Sequence, residues 1–120
     1  MKEKTIEKAV MLTLSQAGCT VWRNATARAW VGKWKGQTRD GDAVIEGARQ
    51  VRFGLAEGSS DIIGIAPDGR FLAVEVKAAG GRESKAQARF REAVNATGGV
   101  AFVARSGEEA LEKVREAVDG

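Results

Sequence analysis

Two apolar runs, Ile62–Ala66 and Phe71–Val76, flank the tetrapeptide Pro67-Asp68-Gly69-Arg70. Proline and glycine at those positions make a tight turn, so the runs predict a β-hairpin. Neither run alternates apolar with polar residues, which is the pattern of central strands covered on both faces. Charge gathers at the ends distant from the turn. Asp61 opens the first run, and the second closes on Glu75-Val76-Lys77. Placing ionisable groups at the ends of buried strands is costly unless they are paired or hold a metal.

Helices surround this hairpin. Ile6, Val10, Leu14 and Ala17 keep helical spacing over residues 3–17, and Gly18 stands where a C-cap glycine belongs. Cys19–Arg23 predicts a short strand. Ser84 and Gln87 have the Ser-x-x-Gln spacing of a capping box and open a helix over 85–97, ended by Gly98-Gly99. Val100–Ala104 reads as another buried strand. Ser106 and Glu109 predict a second capping box before a final amphipathic helix carrying Leu111, Val114 and Val118. The predicted fold class is α/β, a small mixed β-sheet flanked by helices. The step from strand 71–77 through helix 85–97 to 100–104 predicts a right-handed crossover between parallel strands.

Residues 24–58 are harder to read. Six glycines interrupt them, at 32, 36, 41, 47, 54 and 58. Short strands at Ala43–Ile45 and Gln50–Phe53 are expected within an otherwise irregular stretch. Trp30 and Trp34 fit a mobile loop closing over a ligand, and equally fit core or dimer contacts.

Composition narrows the chemistry. At 120 residues the chain is one domain, 1–120, with enough length for a hydrophobic core. The single cysteine, Cys19, excludes an intrachain disulfide and a cysteine-built zinc site. Histidine is absent, which removes Ser-His-Asp chemistry and histidine general bases. Acid–base work falls to Asp, Glu, Lys or metal-activated water. The N-terminus lacks a signal-peptide apolar run and no segment is long enough to span a membrane, so a cytoplasmic location is expected. The net charge is +3, and its distribution is uneven. Arg23, Arg28, Lys33, Lys35 and Arg39 occur without an acid over 23–39, and Arg82, Lys85, Arg89 and Arg91 surround only Glu83. Such clusters suit a polyanion; a solvated charged face is the plainer alternative.

The hairpin itself suggests a reaction. In an antiparallel pair, the start of one strand and the end of the next are neighbours, so Asp61 and Glu75 converge. Lys77 shares a strand face with Glu75, close enough to orient a water or offset developing charge. Val76 points to the other face and leaves its carbonyl available to a metal. Magnesium prefers one or two carboxylates plus water and supports phosphodiester hydrolysis. A structural Glu–Lys pair is the competing reading. On the first helix, Glu7 lies at the edge of the apolar stripe formed with Val10, Met11 and Leu14.

Asp61 followed by Glu75-Val76-Lys77 resembles the PD-(D/E)XK nuclease signature, with Ser60 where that motif has proline. Gly58-Ser59-Ser60-Asp61-Ile62-Ile63-Gly64, the Glu-Val-Lys element and Ser84-x-x-Gln87 together resemble the VRR-NUC domain over nearly the whole chain. That family comprises small phage and bacterial nucleases and the nuclease domain of a eukaryotic DNA-repair enzyme. The resemblance implies a restriction-endonuclease-like core and a Mg2+- or Mn2+-dependent endodeoxyribonuclease. Stand-alone members resemble Holliday-junction resolvases, so a homodimer acting on four-way DNA junctions is the implied assembly. By the same resemblance Asp61, Glu75 and the Val76 carbonyl are metal ligands, and Lys77 is the catalytic lysine. Glu7 is an outer carboxylate, with Glu3 as alternative. Gln87 is a further catalytic residue, unless it serves only as the capping partner of Ser84. Arg23, Lys33, Lys35, Arg82, Lys85 and Arg89 are expected to contact phosphates. Cleavage of flap or duplex DNA, a ribonuclease, and a non-catalytic binding module on the same fold are the alternatives.

Overall fold

The structure, a computed structural model, describes residues 1–120. Helix α1 (Glu3–Gln16) leads into β1 (Thr20–Arg23). Strands β2 (Ala27–Gln37) and β3 (Ala43–Phe53) follow, then β4 (Ile62–Ile65), β5 (Phe71–Val76), α2 (Lys85–Ala96), β6 (Val100–Ala104) and α3 (Gly107–Asp119). The body is a four-stranded mixed sheet in the order β1-β4-β5-β6. β1 and β5 both run antiparallel to β4, while β5 and β6 are parallel, as a crossover through α2 requires.

Period-two alternation along β5 sorts its side chains between two apolar layers. Leu72, Val74 and Val76 join Ile6, Val10 and Leu14 of α1 and Ala110 and Val114 of α3 in one core. Ala73 packs on the opposite face with Ala101, Val94 and Phe90, beneath α2. Two helices therefore cover one side of the sheet and one covers the other. This explains why the predicted strands carry almost no polar residues. No helix is long and apolar enough to cross a membrane.

Local chemistry sets the helix ends. Gly18, at φ +92°, lets the Cys19 N–H reach back to the Leu14 carbonyl at 3.0 Å, closing α1 with a Schellman-type turn. At α2 both halves of the capping box form: Ser84 Oγ accepts from the Gln87 N–H, and Gln87 Oε1 accepts from the Ser84 N–H. At α3 only one half forms. Ser106 Oγ accepts from the Glu109 N–H, but the Glu109 carboxylate turns to Lys113 Nζ at 2.9 Å. An ammonium four residues on is a stronger partner for a carboxylate than a backbone amide.

The main correction concerns residues 24–58. They form neither a loop nor two short isolated strands. β2 and β3, each of 11 residues, pair antiparallel from Ala27↔Phe53 to Gln37↔Ala43, with register shifts between Val31 and Lys33 and between Trp34 and Gly36. This two-stranded sheet is separate from the body sheet. At about 3.3 Å per residue each strand spans roughly 36 Å, so the hairpin stands out as an arm. The molecule measures 57 × 31 × 27 Å, and its radius of gyration is 17.4 Å; a compact chain of this length has roughly 14 Å. Trp30 and Trp34 are each 60% exposed, which overturns their reading as core residues.

The closest approach in the body sheet is at Gly64. A Cβ there would lie 2.1 Å from the Thr20 carbonyl oxygen, so β1 sits against β4 only because residue 64 has no side chain. Gly64→Ala is expected to lower stability by about 1–3 kcal/mol, read as a lower urea midpoint with unchanged slope. An unchanged midpoint would refute the close approach.

Candidate functional site

The β4–β5 register pairs Ile62 with Val74. One step outward, this sets Asp61 against Glu75, as the turn length predicts. Asp61 Oδ2 accepts a hydrogen bond from the Val76 N–H at 2.8 Å, which fixes its carboxylate across the end of β5. Glu75 is only 4% exposed, and its Oε2 is buried with no hydrogen-bond partner. Burial pushes the Glu75 carboxyl up to about 9; a hydrogen bond to Asp61 and the charge of Asp61 push the same way, against the pull of Lys77. Glu75 therefore holds its proton at neutral pH. A carboxylate pair held this way binds either a proton or a positive charge.

Lys77 shares the strand face of Glu75 and is half-buried. Its charge acts on Glu75 and also on Glu83. Arg91 holds Glu83 through contacts of 2.6 to 3.1 Å, keeping that carboxyl below its usual range. Lys77 therefore stays near Glu75 without being captured by a tight ion pair at Glu83.

The first helix brings two acids to this end of the sheet. Glu7 accepts from Arg23 Nε at 2.6 Å. Together with Lys4, Asn24 and Asp61 these residues line a cavity of about 320 Å³. Glu3 lies near enough for its charge to raise Glu75 further. Glu7 thus shares the Asp61 cavity, and Glu3 acts on Glu75. Gln87 is placed by the capping box, with Oε1 committed to the Ser84 N–H.

The expected phosphate-contacting residues are spread more widely. Arg23 is at the cavity wall, paired with Glu7. Lys33 and Lys35 lie on the arm, where Lys35 pairs with Glu46 at 3.0 Å. Arg82, Lys85 and Arg89 are exposed around the start of α2, and Arg89 lines a shallow cavity with Glu57 and Phe90.

Asn24 had no signal in the sequence. Its N–H donates to the Asp61 carbonyl at 2.7 Å, and its Nδ2 donates to Ser59 Oγ at 2.7 Å and to the Ser60 carbonyl at 2.9 Å. It ties the end of β1 to the buried Ser59-Ser60 segment that delivers Asp61. An asparagine after a predicted strand looks like an ordinary turn residue, and the contact spans 35 residues.

No group of three or more His, Cys, Asp or Glu side chains is arranged to hold a metal ion. The available donors are hard oxygens: the two carboxylates and the neighbouring Val76 carbonyl. A magnesium-class dication needs one or two carboxylates and completes its shell with water. The unpartnered, buried Glu75 Oε2 fits a positive charge at this point. No protein-family model matches the chain, and no curated protein matches it.

Proposed function

We propose that this chain is a metal-dependent DNA endonuclease of the PD-(D/E)XK kind, similar to VRR-NUC domains, acting on branched DNA. One observation carries the reading: a buried carboxylate with an unpartnered oxygen faces a second carboxylate, with a lysine on the same strand face. Asp61 and Glu75, with the Val76 carbonyl, would hold Mg2+ or Mn2+. When bound, such an ion supplies the Lewis acidity for phosphodiester hydrolysis. Lys77 would hold the attacking water or stabilise charge on the phosphate. Glu7, through its pair with Arg23, would position that arginine at the cavity mouth. The cationic residues Arg82, Lys85 and Arg89 would fix the phosphate backbone without reading sequence. A homodimer is part of this proposal, because paired cuts in a four-way junction need two sites related by a two-fold axis.

Labelled four-way junction, flap, linear duplex and single strand, each incubated with Mg2+ or with EDTA, test the reading. Cleavage of a branched substrate in Mg2+ alone is the expected result. Absence of cleavage on every substrate would overturn it. The tryptophans and arginines exposed on the β2–β3 hairpin, away from the carboxylates, favour a second reading, a nucleic-acid-binding module without catalysis. Tight binding with no cut in the same panel is its signature.

A further inference from the structure

A two-stranded hairpin is marginal in water by itself, yet the arm exposes large apolar side chains. The register shift between Val31 and Lys33 puts its extra residue in β3, where Gly47 and Ala48 face Gly32 alone, so β2 keeps its alternation and Arg28, Trp30, Gly32 and Trp34 point to one face. Their cross-strand partners put Arg52, Gln50 and Ile45 on that face as well. Ile45 leans over Gly32, where a Cβ would meet its Cγ2 at 2.6 Å. The two tryptophan positions thus stand roughly 13 Å apart along the strand, with an apolar floor between them. No acid lies on this face: Glu46 pairs with Lys33 in register and holds Lys35 on the other, and Asp40 and Asp42 are at the tip.

Arg28 and Arg52 stand directly opposite each other at the root. Like charges in a cross-strand pair are destabilising, and only Glu57, 3.4 Å from Arg52, offsets them. These arginines line a cavity of about 210 Å³ with Thr26, and Thr26 also lines the cavity that holds Asp61 and Glu7. The arginine pair therefore lies next to the carboxylate cavity, across Thr26, and the aromatic face runs outward from it along β2. A second copy laid on the same face would bring four arginines together, with only the two Glu57 carboxylates at the root to offset them. A polyanion with flat apolar faces satisfies both features. In a duplex those base faces are already stacked, and opening them costs a few kcal/mol per step.

We propose that the β2–β3 arm is a platform for an unpaired polynucleotide strand, its bases stacking on Trp30 and Trp34 and its phosphates held by Arg28 and Arg52. The proposal rests on the nuclease reading for a branched substrate that carries an unpaired strand, such as a flap, which the arm would lead toward the carboxylate cavity.

The test uses the full chain in EDTA, so that binding is read without cleavage. Fluorescence anisotropy of a labelled oligothymidylate of about 20 nucleotides gives Kd, with duplex DNA and oligouridylate as comparison probes. Trp22→Phe leaves the arm tryptophans as the only indoles, and their emission is expected to fall on binding. Trp30→Ala and Trp34→Ala are each expected to weaken single-strand binding by about five- to a hundredfold, with Trp30→Phe restoring most of the loss. Arg28→Gln with Arg52→Gln is expected to flatten the salt dependence of log K by about 1.4. Unchanged oligothymidylate affinity in the double tryptophan variant, with native circular dichroism, would overturn the proposal. So would duplex binding as tight as single-strand binding. Loss of self-association in that variant, with oligothymidylate binding intact, would assign the face to a second copy and also overturn it. Retained arm-dependent binding without any cleavage would remove the nuclease reading and leave the platform standing.

Discussion

Asp61→Asn is expected to lower Mg2+-dependent cleavage by about a thousandfold while leaving the fold intact. An amide oxygen at residue 61 still accepts the Val76 N–H that now reaches Oδ2 at 2.8 Å. The end of β5 therefore keeps its anchor. On the proposed nuclease reading, what is lost is one of two charges that would face a dication, and Lewis-acid stabilisation is worth several kcal/mol, or roughly a thousandfold in rate. Lys77→Met should produce a comparable loss in rate with Mg2+ binding retained. Calorimetry then separates the two roles. The Asp61 variant loses the binding heat for Mg2+, and the Lys77 variant keeps it. Wild-type rates in the Asp61 variant would remove this carboxylate from the reaction.

Glu75→Gln is expected to stabilise the metal-free protein and flatten its pH profile. The Glu75 carboxyl rises from an ordinary 4.5 to about 9 in the folded chain, so between those values the native state binds more protons than the unfolded one. Stability carried by the neutral carboxyl is complete below pH 4.5 and is lost as pH rises toward 9. At pH 8 the loss has an upper bound of about 5 kcal/mol. Glutamine removes the titration and keeps a neutral group of the same shape at residue 75. Urea unfolding at pH 5, 7 and 9 in EDTA reads both curves. Added Mg2+ should restore much of the wild-type loss at pH 9, because a ligand that binds only the native state stabilises it, and should do much less for Glu75→Gln. A wild-type curve that is flat across this range would contradict a buried, proton-holding Glu75.

The sequence made the body of the fold legible because its signals are local. The Pro67-Asp68-Gly69-Arg70 turn fixes the register of β4 and β5, and that register brings Asp61 to Glu75. Leu14, Gly18, Ser84 and Gln87 mark helix ends by short-range geometry alone. The arm escaped because its signals are weak for a physical reason. Strands exposed on both faces have no buried side to impose alternation. Gly32, Gly36 and Gly47 sit in or beside irregularities that resemble strand breakers, and two register shifts break the periodicity again. Within the site, the Glu7–Arg23 ion pair and the Asn24 anchor join segments far apart in the chain. Residue spacing cannot show such contacts before the sheet order is known. The α3 cap shows the opposite limit: Ser106 and Glu109 have the right spacing, but Lys113 competes for the carboxylate.

The arm also divides how the chain reaches its native state. Its pairs close around the Thr38–Asp42 turn, where the Thr38 N–H meets the Asp42 carbonyl at 2.8 Å. They zip outward from a local nucleus. The body sheet has to bring β1 to β4 across that whole hairpin, and β5 to β6 across α2. Short loops close at lower entropic cost than long ones. The arm is therefore expected to exchange its backbone amides faster than the strands of the apolar core, which hydrogen exchange reads directly. It joins the body only at its root, so a disturbance there is felt first at Asn24 and the segment that carries Asp61.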